Sequence, residues 1–224
     1  MRKCEAVVFD LDGTLLNTLE DLTDSVNAAL SAYGRPQKTI EQIRSYVGNG
    51  IRNLMKRSVA GGEADPDFEK IFQAFKEHYK VHCQDKTKPY DGIMKLLQTL
   101  KTRGIKMAIV SNKADFAVKE LNEYYFKGLD MVAIGEREGI SRKPAPDSVF
   151  QALKELGVPA ERAVYVGDSD VDLETAKNAN IPCISVLWGF RNEQLLKEHG
   201  AEYFANTAED ICSLLEQISR SDTV

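Results

Sequence analysis

Short, almost uninterrupted apolar runs alternate with amphipathic stretches along most of the chain. The first run is Ala6–Phe9, and the stretches that separate the later runs have helical spacing. Such runs are typical of strands buried on both faces of a sheet. The alternation predicts an α/β fold whose core is a Rossmann-like, doubly wound parallel sheet covered by helices. The later apolar runs are 107–110, 131–134, 163–166, 181–187 and 203–205.

One long region carries no such apolar run. Between residues 17 and 82 the pattern predicts only helices, over 17–32, 39–47, 51–60 and 67–82. This is too much helix for one crossover connection, and a loop of that length inside a compact domain would be unusual. We therefore predict a small α-helical domain, residues 17–83, inserted into an α/β core domain made of residues 1–16 and 84–224.

Four of the predicted strands end at, or lie near, side chains that can do chemistry. In an open α/β sheet, ligands bind beyond the carboxyl ends of the strands. We therefore expect these side chains to meet at one edge of the sheet. They are Asp10 and Asp12, Ser111 and Asn112, Lys143, and Asp168 with Asp172.

The acidic pairs favour phosphoryl chemistry with a metal ion. Asp10 and Asp12 are two positions apart, so both side chains can reach the same side of an extended segment. One carboxylate can attack as a nucleophile while the other exchanges protons with the leaving group and with water. Asp168 and Asp172 add charge at this edge, and several carboxylates do not stay ionised together without a cation. Mg²⁺ is the expected cofactor because it binds carboxylates together with substrate phosphate.

The remaining segments would hold the phosphate group. Lys143 supplies a positive charge, and Ser111 with neighbouring backbone N–H groups supplies hydrogen bonds. Taken alone, each segment also fits a structural role: an acidic loop, a helix cap or a turn. Their common placement at strand ends favours the functional interpretation.

Composition narrows the range of partners. The net charge is −5, the pI is about 5.4 and no basic patch is evident, which argues against nucleic acid. No segment approaches the roughly 18 apolar residues of a membrane span, and no signal-peptide pattern is seen. Four scattered cysteines without a CxxC pair are typical of reduced thiols. We expect a cytoplasmic protein, a monomer or homodimer, that acts on a small phosphorylated metabolite.

The same segments resemble the four motifs of the haloacid dehalogenase superfamily. They are DLDGT at 10–14, Ser111, Lys143 with Pro144, and the acidic stretch 167–172. Among its members, the chain is most similar to phosphoglycolate phosphatases. That similarity rests on YVGNG at 46–50, KPYDG at 88–92, VSNK at 110–113, KPAP at 143–146 and VGDS at 166–169.

The resemblance implies catalysis through an aspartyl-phosphate. Asp10 would be the nucleophile and Asp12 the general acid and base. Mg²⁺ would be bound by Asp10, by Asp168 and by the backbone carbonyl of Asp12, with Asp172 supporting the metal site. Ser111, Asn112 and Lys143 would bind the phosphate group, and Lys143 would also position Asp10.

The helical insertion resembles the small α-helical cap of this superfamily. A cap can exclude water from the reaction and select the substrate. Gly48, Asn49 and Arg52 are the tentative specificity residues, since the glycines allow close approach and Arg52 or Arg44 could meet a substrate carboxylate. The alternative is that this loop is only a turn between two helices.

Details of the motifs bear on the substrate. The second aspartate, Asp12, is absent from the dehalogenases and the phosphonate-cleaving members, so its presence favours phosphate esters, phosphoglycolate first. Two positions depart from close relatives: Asp170-Val171 stands where Arg-Asn is common, and Ser111 where Thr is usual. The alternatives are a sugar phosphomutase similar to β-phosphoglucomutase, a pyrophosphatase of the same family, and a binding module without catalysis.

Overall fold

The computed structural model describes residues 4–221 of the chain. Two of its eight strands, β2 and β3, form a separate two-stranded sheet. The strands are β1 (Ala6–Phe9), β2 (Leu16–Asn17), β3 (Lys88–Pro89), β4 (Lys106–Ala114), β5 (Val132–Glu136), β6 (Ala163–Gly167), β7 (Cys183–Val186) and β8 (Tyr203–Ala205).

Ten α-helices lie within the described residues, together with two short 3₁₀ turns. No helix between residues 4 and 221 is long and apolar enough to cross a lipid bilayer. The helices are α1 (Leu19–Ala32), α2 (Ile40–Tyr46), α3 (Gly50–Ser58), α4 (Phe68–His82), α5 (Ile93–Thr102), α6 (Asp115–Tyr125), α7 (Asp147–Leu156), α8 (Asp170–Asn178), α9 (Glu193–Glu198) and α10 (Ala208–Ser221).

The other six strands form one parallel sheet in the order β5-β4-β1-β6-β7-β8. β1 is central and its four residues are fully buried. Ala6 and Val8 pack in one cluster with residues of α7 and α8, while the alternate residues Val7 and Phe9 fill the opposite face. The predicted α/β class with a doubly wound parallel sheet is confirmed.

Two elements near the site extend beyond their predicted bounds. β4 continues past the predicted 107–110 as far as Ala114, because Ala114 still pairs with Glu136 of β5. α8 begins at Asp170 rather than Asp172, because Ser169 caps it by accepting a hydrogen bond from the Asp172 N–H. Both extensions bring additional side chains into regular structure at the edge where the site lies.

The chain divides into two compact units. Leu16–Lys88 forms the helical unit, and the remaining described residues form the α/β unit. These limits lie one and five residues from the predicted 17 and 83, and the strands β2 and β3 stand at the two ends of the helical unit.

The helical unit has an interior of its own. α1 packs against α4, and Val26 and Leu30 of α1 and Ile71 and Phe75 of α4 are fully buried. Asp21 on α1 is also buried, and its carboxylate accepts hydrogen bonds from the backbone of the segment that follows α4, residues 86 and 87. This carboxylate therefore stabilises the turn by which the chain leaves the helices.

Candidate active site

Asp10 stands at the carboxyl end of the central strand. Phe9 pairs with Ile109 of β4 and Val166 of β6, and the N–H of Asp10 donates to the Val166 carbonyl at 2.9 Å. The backbone of Asp10 is thereby fixed between two parallel strands, and its side chain is buried. The chain then turns away at Gly13, whose φ of 94° favours glycine and where a Cβ would lie 2.5 Å from an Asp168 oxygen.

Lys143 lies between two of the carboxylates. Its Nζ is 2.7 Å from Oδ1 of Asp10 and 2.7 Å from Oδ1 of Asp172. It also donates to the Tyr165 hydroxyl at 3.1 Å, and that hydroxyl donates to Oδ1 of Asp172 at 3.0 Å. All four side chains are buried, so their charges and polar atoms are satisfied by one another.

Asp172 is held by the start of its own helix. Its second oxygen, Oδ2, accepts the backbone N–H of Asp168 at 3.2 Å and that of Ser169 at 3.1 Å. The Ser169 hydroxyl donates to the same oxygen. One carboxylate thus closes the turn after β6 and orients Lys143 at the same time.

Asp168 follows β6 and has its own donors. Its Oδ2 accepts the N–H of Phe190 at 2.6 Å, and its Oδ1 accepts the Thr14 hydroxyl at 3.4 Å. The indole N–H of Trp188 donates to the Thr14 carbonyl at 3.0 Å, which ties the loop after β7 to the loop after β1. Loops from three strands therefore fix the position of this carboxylate.

Burial and mutual repulsion set the protonation of these groups. Burial, more than the neighbouring charges, raises the pKa of Asp10 well above its usual value. Burial and then Asp172 raise the pKa of Asp168 to about 7. Burial alone would lower the pKa of Lys143, but the carboxylates of Asp10 and Asp172 hold it well above its usual value. One lysine does not balance three carboxylates, so the site favours a further cation.

The carboxylates are close enough to share a metal ion. One oxygen from each of Asp10, Asp168 and Asp172 lies within 4.8 Å of the other two. These are hard oxygen donors in a buried pocket of excess negative charge, which fits Mg²⁺. Asp12, among the described residues, lies outside this group.

Residues 111–113 leave the regular register of β4. Val110 pairs with Ile134 and Ala114 with Glu136, so β4 advances four positions while β5 advances two. Such a bulge re-aims side chains that would otherwise alternate between the faces of the sheet. The buried Ser111, for example, accepts the Lys113 N–H on its hydroxyl at 3.2 Å.

Asn112 reaches the segment that carries Lys143. Its side-chain amide donates to the Lys143 carbonyl at 3.1 Å and accepts the Lys143 N–H at 2.8 Å. These paired bonds hold the backbone of Lys143 in place. The predicted contacts of Ser111, Asn112 and Lys143 with phosphate stay predictions.

Asp12 pairs with a lysine of its own. Nζ of Lys113 lies 3.1 Å and 3.5 Å from the two carboxylate oxygens of Asp12. The Lys113 side chain is only 4% exposed, against 15% for Asp12. The two acidic residues of the DLDGT segment therefore have different cationic partners.

Asp170, which departs from the usual motif, also has a partner. Arg191, in the loop after β7, approaches its Oδ1 to 3.2 Å and is itself largely buried. The extra negative charge beside the site is therefore compensated within the α/β unit.

The tentative specificity residues lie in and just after the loop between α2 and α3. Gly48 has a φ of 120° and Asn49 precedes the first residue of α3. Arg52 is ion-paired within the helical unit, to Glu63 at 2.7 Å and to Glu69 at 2.5 Å. Its guanidinium also lies over the Phe68 ring, 5.2 Å from the centroid. The role of this loop in substrate selection stays a prediction.

A known protein family accounts for most of the chain. The model of the haloacid dehalogenase-like hydrolases matches residues 7–186. The chain belongs to this family. As a haloacid dehalogenase-like hydrolase it is an enzyme, and the predicted superfamily is confirmed.

Relatives within the family carry a more specific name. "Phosphoglycolate phosphatase 1" of Pseudomonas aeruginosa is 32% identical over 221 residues, which cover 94% of this chain and 79% of the relative. The phosphoglycolate phosphatase of Thiobacillus denitrificans is 34% identical, covering 87% and 88%. A crystal structure from Lactobacillus delbrueckii subsp. bulgaricus, provisionally named a phosphoglycolate phosphatase, superposes with a TM-score of 0.90. It is 36% identical and covers 95% of this chain and 98% of that one.

Four contacts at the site involve groups for which the sequence predicted no role. Tyr165 has the apolar surroundings of a strand residue, and Arg191 lies in a loop without a motif. The Phe190 N–H is a backbone group that sequence patterns do not reveal. Lys113 belongs to the VSNK segment at 110–113, and that segment is the signal that could have pointed to it.

Proposed function

We propose that this hydrolase is a Mg²⁺-dependent phosphatase of small phosphomonoesters, with phosphoglycolate as the first candidate substrate. The observation that carries the proposal is the buried ion pair of Asp10 and Lys143 inside a group of three carboxylates. A carboxylate held in this way is a nucleophile with its charge partner already in place. The names of the relatives support the substrate.

Hydrolysis would take place in two steps. A carboxylate oxygen of Asp10 attacks phosphorus, and the bond from phosphorus to the ester oxygen breaks. That oxygen keeps the electron pair and takes a proton from Asp12, so that the alcohol leaves. Asp12 then accepts a proton from water, the water oxygen attacks phosphorus, and the bond to Asp10 breaks to release inorganic phosphate.

Mg²⁺ would be held by Asp10, Asp168 and the Asp12 carbonyl, with Asp172 supporting them. When bound, it neutralises negative charge on the phosphate group. Lys143 would contact the same group from the protein side, and Ser111 and Asn112 would supply hydrogen bonds. The helical unit would act as the cap that admits the substrate and excludes water.

Phosphate release from phosphoglycolate tests the proposal. The wild type with Mg²⁺ should release phosphate, and Asp10→Asn should abolish release while the protein stays folded by circular dichroism. Asp130→Asn is the matched control, since Asp130 is 80% exposed and away from the site. Phosphate release by Asp10→Asn would contradict the assignment of Asp10 as the nucleophile.

Pyrophosphate and β-glucose 1-phosphate with a bisphosphate primer separate the alternatives. A mutase would produce glucose 6-phosphate rather than phosphate. Faster hydrolysis of pyrophosphate than of phosphoglycolate would instead identify the enzyme as a pyrophosphatase. A folded wild type that releases no phosphate from any phosphate ester would overturn the phosphatase proposal as a whole.

A further inference from the structure

We propose that Lys113 is a positioning residue that holds the Asp12 carboxyl group in line for proton transfer to the leaving oxygen. This inference rests on the proposed phosphatase function and adds a residue to it. Its basis is the contact of Lys113 Nζ with both oxygens of Asp12, at 3.1 Å and 3.5 Å.

The position of Lys113 is fixed by the strands around it. The next residue, Ala114, pairs with Glu136, and the Gly135 N–H donates to the Asp115 carboxylate at 3.0 Å. A Cβ at Gly135 would lie 2.5 Å from the Lys113 carbonyl oxygen, so β5 packs directly against this backbone. The backbone of Lys113 is therefore held in place by β5, so its side chain can orient Asp12.

Burial makes the contact more than a surface ion pair. Exposed pairs of lysine and carboxylate contribute little because water screens them and the side chains move freely. At 4% exposure the Lys113 side chain has little such freedom, and its partner Asp12 is itself only 15% exposed. A lysine buried this deeply needs a charged or polar partner.

Lys113 and Lys143 each contact a different acidic residue of the DLDGT segment. Lys143 contacts Asp10, Asp172 and Tyr165, all of which belong to the nucleophile side of the site. Lys113 contacts Asp12, which lies outside the group of three carboxylates within the described residues. In this proposal the proton donor and the nucleophile are therefore oriented by different lysines.

Leaving-group dependence distinguishes this role from a merely structural one. An alkoxide needs a proton as the phosphorus–oxygen bond breaks, whereas p-nitrophenolate leaves without one. Removing a positioned general acid lowers the rate about 10²- to 10⁴-fold. Because Asp12 would also serve the later hydrolysis of the aspartyl-phosphate, the test uses kcat/KM, which reports the step that expels the leaving group. Lys113→Met should lower kcat/KM for phosphoglycolate by about 10²-fold and kcat/KM for p-nitrophenyl phosphate by less than about tenfold.

A third substrate tests whether Lys113 instead binds the substrate's carboxylate. Ethyl phosphate has a poor leaving group and no carboxylate, so the proposal predicts the same loss of kcat/KM as for phosphoglycolate. A loss confined to phosphoglycolate and seen in KM would overturn the proposal in favour of substrate binding. Equal losses of kcat/KM on all three substrates would overturn it in favour of a structural role.

Control variants keep the experiment decisive. Lys127→Met removes a lysine that is 78% exposed and should change none of the three rates. Lys113→Arg keeps the positive charge and serves as the test if Lys113→Met does not fold. It should show a smaller loss of activity, and that loss should again be greater for alkyl esters than for the aryl ester. Equal losses of Lys113→Arg on alkyl and aryl esters would also contradict the proposal. Wild-type activity that depends on Asp10 would leave the phosphatase function standing in either case.

Discussion

The ammonium group of Lys143 lies 2.7 Å from a carboxylate oxygen of Asp10, although the two residues are 133 positions apart in the chain. Both side chains are buried, so neither charge is screened by water. The pair joins the end of β1 to the segment before α7. It therefore links the packing of the sheet directly to the chemistry at its edge.

Removing Lys143 should harm both stability and activity. Lys143→Met leaves Asp10 and Asp172 without their shared cation, and breaking a buried pair in this way costs about 3 to 5 kcal/mol. The expected result is a lower midpoint in urea unfolding, with phosphate release lowered by at least about 10²-fold, the scale of losing one charge-stabilising donor. Lys127→Met, at an exposed lysine, is the control. An unchanged urea midpoint would mean that the pair does not stabilise the fold.

Substitution of Tyr165 changes the hydrogen bonds around Lys143 without removing a charge. Tyr165→Phe removes only the hydroxyl that accepts from Lys143 and donates to Asp172. We expect a loss of at least about 1.5 kcal/mol in unfolding free energy, because both lost hydrogen bonds are to charged groups. kcat should fall while KM stays the same, because the phenol orients Lys143 rather than substrate. A change in KM alone would contradict that role.

The parallel sheet is what made the site predictable. Consecutive strands present their carboxyl ends at one edge, so residues that follow separate apolar runs could be assigned to one place. The structure brings Asp10, Lys143, Asp168 and Asp172 together there. Their predicted roles in catalysis and metal binding await the experiments described here.

Other contacts could not be predicted, because they depend on departures from regular structure. Strand periodicity places Ser111, Asn112 and Lys113 on alternating faces, and the sequence does not reveal the bulge that changes this. The pairing of Arg191 with Asp170 depends on a loop conformation after β7. The ion pairs of Arg52 join residues up to 17 positions apart on different helices. Hydrophobic periodicity predicts each helix but does not determine how the helices pack against one another.

Mg²⁺ should stabilise the protein against heat. Binding to the folded state alone contributes about 2.7 kcal/mol when the ion is present at 100 times its dissociation constant. We expect Mg²⁺ to raise the Tm of the wild type by several degrees and to have little effect on Asp168→Asn. Asp130→Asn, at an exposed carboxylate, should respond as the wild type does.

The same variant should behave differently without the ion. Burial and then the charge of Asp172 raise the pKa of Asp168 to about 7, so its ionised form disfavours the folded state. At pH 8 in EDTA, Asp168→Asn should be at least as stable as the wild type. Melting curves that show a less stable variant in EDTA and an equal response to Mg²⁺ would contradict the assignment of this residue to the metal.

Arg52 allows the two interpretations of the loop between α2 and α3 to be separated. Its ion pairs with Glu63 and Glu69 lie within the helical unit. We expect Arg52→Ala to lower the Tm slightly, with Glu69→Gln giving a similar Tm. An unchanged KM for phosphoglycolate in Arg52→Ala would mean that this loop is only a turn between two helices. A higher KM in Arg52→Ala but not in Glu69→Gln would instead assign Arg52 to the substrate carboxylate.

The pH dependence of this effect has a definite sign. Hydrogen bonds from Arg52 lower the pKa of both Glu63 and Glu69 below the usual 4.5. A carboxyl group whose pKa is lowered on folding stabilises the folded state fully above its unfolded pKa, and that contribution is lost as the pH falls through the folded value. The difference in Tm between wild type and Arg52→Ala should therefore be constant above about pH 5.5 and shrink toward zero at lower pH. A difference that persists at pH 3 would mean that Arg52 acts through its packing over Phe68 and Phe72 rather than through the carboxylates.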